Sequence, residues 1–325
     1  MSEGVKRQLA RLGTKDIAAV ARVEGALVKG ARKYFDENGF TEVFVPHLTR
    51  ATGSCENIDT LFEVDYFGER AFLCQTGQLY LESLIPVLSR VYAVGPSFRA
   101  EEAVDGRHLC EFPLLEIEFS GDFDELMAHI EGTICSMVAT AVKEQQQALE
   151  FLGANVKELK SLKAPFKKLP YRDAVDILGL PFGADLKSSH EAALVKEFGG
   201  KPLFVTHYPR EIKFFNMRTN ESDAAVVNSA DLLLPFGGEA VGSAEREWEA
   251  AVLYEKLSNS AMLKQLERRG GSIKDFEWYV QHLRDKGSVP HAGCGIGLNR
   301  VTQFVLGKAD IRDCTAFPLN RETLL

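Results

Sequence analysis

Arg99, Arg107, His108 and Arg300 are the side chains best suited to chemistry in this chain. Arg99 stands in Ser97-Phe98-Arg99-Ala100-Glu101, where a guanidinium at a strand end can fork onto a carboxylate and a phosphate together. Arg107 and His108 follow across a short loop, two donors at a tip that suits a terminal phosphate. Phe112 then offers a ring to stack on a purine. About 190 residues later, Gly293-Cys294-Gly295-Ile296-Gly297-Leu298-Asn299-Arg300 adds a glycine-lined backbone and a third arginine. Singly, each has a plain explanation. Arg99 could pair with Glu101 or Glu102 on the surface, Phe112 could sit in a core, and the glycines could serve tight helix–sheet packing. Together they suit a site that holds a triphosphate.

The glycine run fails as a dinucleotide fingerprint, because position 298 is leucine and no parallel βαβ unit surrounds it. It reads instead as a strand whose missing side chains admit ATP against the backbone. Arg300, in the first turn of the next helix, would point back at phosphate. Asp231 and Glu239 are the metal candidates: carboxylates on neighbouring strands beside a triphosphate would hold Mg²⁺ through oxygens. Two acids eight residues apart also fit a solvated surface.

These groups need a frame. Ile17, Val20, Leu27, Ala31 and Tyr34 recur at helical spacing, which predicts a helix over 16–37 ended by Asn38-Gly39. Residues 40–45 alternate as a strand closed by Pro46, and 71–73 form another. Residues 90–94 and 114–119 read as an antiparallel pair around a loop at Asp105-Gly106. A long amphipathic helix covers 123–152, with Leu126, Ile130, Ile134 and Met137 on one face. Glycines and prolines break 153–200 into short helices and loops, an irregular insertion within one domain spanning 1–325. Strands resume at 203–205, 231–234 and 239–241. A helical stretch runs from 244 to 283, interrupted at Gly270-Gly271. The last strand, 292–296, enters a helix at Leu298. Few crossover helices separate the strands, so the expected class is α+β, an antiparallel sheet flanked by helices.

The formal net charge of −8, from 38 basic and 46 acidic residues, argues against tight non-specific nucleic-acid binding. No stretch is apolar enough to span a bilayer, and the polar start has no signal-peptide core. Six scattered cysteines without a Cys-x-x-Cys pair point to reduced thiols and a cytoplasmic location, not to structural zinc.

Several stretches, in order, resemble the catalytic core of class II aminoacyl-tRNA synthetases of the aspartyl/asparaginyl subgroup. They are Phe40-Thr41-Glu42-Val43 through Pro46, Gln75-Thr76-Gly77-Gln78-Leu79-Tyr80-Leu81-Glu82, Phe98-Arg99-Ala100-Glu101, Arg107-His108-Leu109, Thr206-His207-Tyr208-Pro209-Arg210, Gly238-Glu239-Ala240-Val241-Gly242 and Ile311-Arg312-Asp313. Within the subgroup, Asp105-Gly106-Arg107-His108 and Glu245-Arg246-Glu247-Trp248-Glu249 resemble most the stand-alone archaeal asparagine synthetase related to asparaginyl-tRNA synthetase. The resemblance implies the class II antiparallel sheet. With fifteen residues ahead of the first expected helix, it also implies no N-terminal anticodon-binding barrel. ATP and Mg²⁺ would be used. Arg99 would bind the α-phosphate and the reacting carboxylate. Arg107, His108 and Arg300 would hold the outer phosphates, with Glu101, Leu109, Phe112 and Gly297 around the nucleotide. Asp231 and Glu239 would hold the metal. Glu56 and Gln78 would take the substrate's amino group, and Arg246 and Glu82 its side chain. A homodimer along the segment through Pro46 is implied too.

Aspartate-activating members carry lysine and glutamine where this chain has Leu81 and Glu82, and a carboxylate facing Glu82 would be repelled. Asn57, Ile58 and Leu319 also depart from the pattern. The expected activity is an ATP-dependent ligase that makes an aspartyl or asparaginyl adenylate and passes it to ammonia or a small amine without tRNA. The alternatives are an asparaginyl-tRNA synthetase-like enzyme that acylates tRNA or another acceptor, and a non-catalytic sensor, which the presence of Arg99, Arg107 and Arg300 disfavours.

Overall fold

The computed structural model describes residues 2–51, 57–287 and 289–324. Glu56 lies outside the described residues. In chain order the strands are β1 (Thr41–Glu42), β2 (Leu48–Thr49), β3 (Glu63–Tyr66), β4 (Glu69–Leu73), β5 (Arg90–Phe98), β6 (Glu111–Ser120), β7 (Lys167–Pro170), β8 (Leu203–Thr206), β9 (Ser229–Leu234), β10 (Gly238–Glu245) and β11 (His291–Gly297). The helices are α1 (Glu3–Arg11), α2 (Lys15–Glu37), α3 (Gln78–Leu88), α4 (Phe123–Phe151), α5 (Val156–Leu159), α6 (Tyr171–Leu178), α7 (Ser188–Glu197), α8 (Ala250–Asn259), α9 (Ala261–Arg268), α10 (Glu277–Lys286) and α11 (Leu298–Leu306).

The main sheet has the order β1-β5-β6-β11-β10-β9-β8-β7, and a small one has β2-β4-β3. All main-sheet pairs from β5 to β8 are antiparallel, and only the edge pairs β1–β5 and β7–β8 are parallel. This is the expected α+β arrangement. Alternation lets β6 serve two faces. Leu115, Ile117 and Phe119 are fully buried in the core, and Leu114, Glu116 and Glu118 face the other way into a cavity.

Helices α2 and α4 cover the core face. Thr14 caps α2 by accepting from the Ile17 N–H, and Asp122 caps α4 through the Glu125 N–H. Val20, Val23, Leu27, Ala31 and Phe35 then meet Leu126, Ile130, Ile134 and Met137 above Ile117 and Phe119. Each of these side chains larger than Ala31 contributes about 1.5–3 kcal/mol when fully buried. The helices touch at Gly30, where a Cβ would stand 2.6 Å from the Met137 Cα. Any larger residue there would force them apart. The apolar stripe of α2 is thus spent within its own chain. A second cluster, including Ile58, Phe72, Leu79, Leu253, Phe276 and Tyr279, ties α8 and α10 to α3 and the small sheet.

Four sequence expectations change. Residues 3–11 form a helix, carried by a Ser2 cap and favourable end charges instead of an apolar stripe, and Ser2 also donates to the Glu322 carbonyl at 2.8 Å. The strand over 40–45 shrinks to Thr41–Glu42, because the chain then leaves the sheet edge and Phe44 is 93% exposed. The helix expected from 244 begins at Ala250. β10 extends to Glu245, and the Arg246 N–H still bonds the His291 carbonyl at 2.9 Å. The irregular 153–200 stretch contains α5, β7, α6 and α7, with β7 extending the main sheet beside β8. Tyr171, Ala174 and Leu194 anchor it to Leu203 and Val205.

Candidate active site

A cavity of about 360 Å³ lies over β6, β10 and β11, on the face opposite α2 and α4. Arg99, Glu101, Arg107, His108, Leu109, Phe112, Gln78, Asp231, Glu239, Arg246, Gly297 and Arg300 all line it. Strand register gives its length. On β6, Leu114 faces Gly297 and Glu118 faces Gly293. Four residues at ~3.3 Å each place the two ends about 13 Å apart.

One end is cationic. Arg99 directly follows β5, its N–H bonded to the Cys110 carbonyl at 2.8 Å, and its guanidinium lies 5.5 Å from the centre of the Phe112 ring. Asp105 shapes the next loop. Its carboxylate accepts the N–H groups of Arg107 at 2.7 Å and His108 at 3.0 Å, and lies 2.8 Å from His108 Nδ1. Burial pushes the Asp105 carboxyl up, but these bonds outweigh it and hold it below its ordinary range. Arg300, in the first turn of α11, donates to the carbonyls of Gly237 at 3.0 Å and Arg107 at 2.9 Å. Burial, and then the charge of Arg107, lower its pKa to about 10. Crowded arginines of this kind gain from a bound polyanion.

The metal candidates meet beside this end. Asp231 pairs in register with Gly242, and a Cβ there would stand 3.3 Å from Glu239 Oε1. A β-bulge between Glu239 and Val241 turns Glu239 over that gap. Asp231 Oδ2 accepts from Lys213 Nζ at 2.7 Å, while among the described residues no well-formed hydrogen bond reaches the buried Oδ1. Enclosure in the cleft, and then the Asp231 carboxylate, raise the Glu239 pKa above the ordinary carboxylate range. Glu239 keeps an open face to the cavity, so a cation has access to it. Two crowded carboxyl groups, one pushed up by enclosure and then by the other, fit a divalent cation held through oxygens.

The far end is closed by ions. Arg246 Nη2 donates to Glu118 Oε1 at 2.6 Å, both side chains almost wholly buried. A Cβ at Gly293 would overlap the Glu118 carboxyl group. The glycine strand therefore plays two parts: Gly295 and Gly297 open the cavity floor, and Gly293 makes room for Glu118. Glu82 corrects the sequence reading, because it stands behind the wall instead of on it. It accepts from Gln78 Nε2 at 2.5 Å, from the Tyr279 hydroxyl and from His291 Nε2 at 3.2 Å, with Arg246 Nε 3.8 Å away. Gln78 opens α3 at the cavity, and Glu82 lies one helical turn deeper, where Tyr279 and His291 close over it. Burial opposes both charges, yet the pairing holds Glu82 below and His291 above their ordinary values. Leu81 packs away from the cavity with Ile85, Val91 and Ala93. Ligand atoms of Glu82, Glu118 and His291 lie within 4.8 Å of one another. With Arg246 between the acids, they form a charge-balanced network and not a metal site.

Sequence reasoning missed Glu116, Glu118, Glu191, Lys213, Tyr279 and His291. Glu116 and Glu118 carried a signal, alternating acids in an apolar strand. Glu116 accepts from the Thr76 hydroxyl and from the Gly77 N–H at 2.9 Å, fixing the start of α3.

Comparison with known proteins identifies the family. The family described as tRNA synthetases class II (D, K and N) matches residues 2–321. The asparagine–tRNA ligase of Desulforamulus reducens is 36% identical over 307 residues, covering 92% of this chain and 68% of that protein. That of Pyrococcus furiosus is 37% identical over 312 residues, 94% of this chain and 69% of that one. The crystal structure of asparaginyl-tRNA synthetase from Pyrococcus horikoshii complexed with asparaginyl-adenylate aligns with a TM-score of 0.89 at 34% identity, over 98% of this chain and 72% of that chain.

Proposed function

The chain belongs to the class II tRNA synthetases of the D, K and N type, adenylate-forming ligases that use ATP and Mg²⁺, and on that premise we propose that it activates asparagine as asparaginyl-adenylate. The observation that carries this reading is the buried Arg246–Glu118 pair at the closed end of the cavity. A side-chain amide has one acceptor and two donated hydrogens. Arg246 suits the carbonyl and Glu118 the NH₂ group. Aspartate would bring a second carboxylate to an arginine whose charge Glu118 already matches, a like-charge contact that disfavours it.

The chain's own residues then divide the work. Gln78 takes the amino group. Arg99 bridges the reacting carboxylate and the α-phosphate. Arg107, His108 and Arg300 hold the outer phosphates, and Phe112 stacks on the purine. Asp231 and Glu239 hold Mg²⁺, which neutralises phosphate charge when bound. An oxygen of the substrate carboxylate attacks the α-phosphorus, and the bond to pyrophosphate breaks on the opposite side. The attacking group is already an anion, so no base is required, and catalysis is positioning plus charge stabilisation.

Amino-acid-dependent ATP–pyrophosphate exchange tests this. Exchange with asparagine supports it, and exchange with aspartate alone overturns it. The same adenylate, chased with tRNA or with ammonia, identifies the acceptor. Discharge to tRNA is the reaction in the relatives' names, and discharge to ammonia alone would carry the tRNA-independent reading. Exposed Phe44, 93% accessible beside β1, supports a homodimer along the segment through Pro46. A monomer in light scattering would overturn it.

A further inference from the structure

We infer that Glu191, delivered by α7 from the 153–200 segment, is a positioning residue for the nucleotide: it presets Arg107 and the Gly238-Glu239 turn before the triphosphate arrives. The inference rests on the ATP-dependent activation proposed above. Glu191 is 7% exposed and lines the cavity, and no step of the proposed reaction uses it. It sits in the first turn of α7, where the helix terminus favours a carboxylate.

One oxygen does two jobs. Glu191 Oε2 accepts the backbone N–H of Glu239 at 3.1 Å and faces Arg107 Nη2 at 3.5 Å. Gly238 clears the path. Its φ is +65°, and a Cβ there would stand 2.6 Å from Glu191 Oε2 and 3.2 Å from Arg107 Nη2. The same turn leads into the metal candidate Glu239, and Arg300 holds it from below through the Gly237 carbonyl at 3.0 Å. Glu191 therefore ties an arginine of the phosphate end to the backbone of the metal-holding turn.

A carboxylate has no attractive contact to make with a phosphate, so Glu191 acts through Arg107. The guanidinium carries five N–H donors, and the one turned to Glu191 fixes the plane in which the others face the cavity. An arginine ordered beforehand loses less rotamer freedom when the nucleotide binds. Glu191 also offsets the crowding of Arg107 and Arg300, and its charge opposes the downward shift at Arg300.

The test compares Glu191→Ala, Glu191→Gln, Arg107→Ala and the Glu191→Ala, Arg107→Ala double variant. Mg²⁺-ATP affinity is read by titration calorimetry, and KM for ATP and for asparagine by exchange. Glu191→Ala is expected to weaken ATP about tenfold while KM for asparagine stays within twofold. Glu191→Gln keeps an acceptor for the Glu239 N–H and the fold, and is expected to lose about threefold. Adding Glu191→Ala to Arg107→Ala is expected to cost clearly less than Glu191→Ala costs alone, because only the bond to the Glu239 N–H is then left to lose. Unchanged ATP affinity in both single Glu191 variants, or additive losses in the double variant, would overturn the inference. Affinity for ATP is read without turnover. Absent asparagine-dependent exchange in the unmodified protein would therefore sink the proposed activity and leave this test decisive.

Discussion

Arg246→Ala would strand two acids in the interior. Arg246 and Glu118 are 3% and 2% exposed at the side chain with 2.6 Å between them, and Glu82 is 0% exposed at 3.8 Å. Without the guanidinium, among the described residues only His291 remains as a counter-charge within salt-bridge distance of Glu82. Breaking a buried pair from one side typically costs about 3–5 kcal/mol, mostly from the carboxylate left behind. A folded domain has about 5–15 kcal/mol in all. The variant should therefore stay folded at 25 °C but lose a large share of its margin. Urea unfolding followed by circular dichroism measures this, with asparagine-dependent exchange assayed on the same preparation. A second variant separates the two roles of Arg246. Arg246→Ala combined with Glu118→Gln removes the stranded charge, so it should regain at least half of the lost stability. It should not regain exchange, because the group proposed to grip the substrate side chain is still missing. A loss below about 1 kcal/mol for the single variant, or no recovery in the double, would refute the reasoning.

Three further outcomes are expected. Arg99→Ala should lower adenylate formation by about 10²–10³-fold, since an oriented charge on the reacting phosphate is worth about 3–4 kcal/mol; single-turnover measurement within tenfold of the unmodified protein would remove Arg99 from the site. Mg²⁺ affinity should weaken as pH falls from 8 to 6, because Glu239, raised by the enclosing cleft and Asp231, must lose its proton to bind a cation. Glu239→Gln should abolish that dependence and raise the Mg²⁺ needed for exchange about tenfold or more, and an unaltered Mg²⁺ profile would exclude Glu239 as a ligand. His291 is buried, which lowers its pKa, but Glu82 and then Glu118 raise it further than burial lowers it. Its folded pKa thus exceeds the unfolded value of about 6.5, so its stabilisation is complete below that pH and is lost as pH rises through the folded value. Denaturation midpoints between pH 6 and 9 should fall in the unmodified protein and stay flatter in His291→Gln.

Much of the molecule was legible without coordinates, wherever the information is local. Val20, Leu27 and Ala31 mark α2 by their spacing, and Asn38-Gly39 marks its end, because a helix needs only its own neighbours to declare its face. That Arg99, Arg107, Phe112 and Arg300 belong to one cavity was legible for a related reason, since the motifs that carry them are short. The depth of a side chain was not legible. Gln78 and Glu82 are four residues apart on one helix, yet one lines the cavity and the other is sealed by Tyr279 and His291, about two hundred residues later. Nor did any pattern show that Glu118 would meet Arg246, or that α7 would bring Glu191 to Arg107. Those pairings depend on β-register and on how a distant segment docks, and each is worth energy only once water is excluded around it. Sequence alone determined the class of chemistry and the elements that frame it. Tertiary structure decided which acids face the cavity, because burial and pairing, which set an ionisable group's role, are properties of the assembled interior and not of the chain.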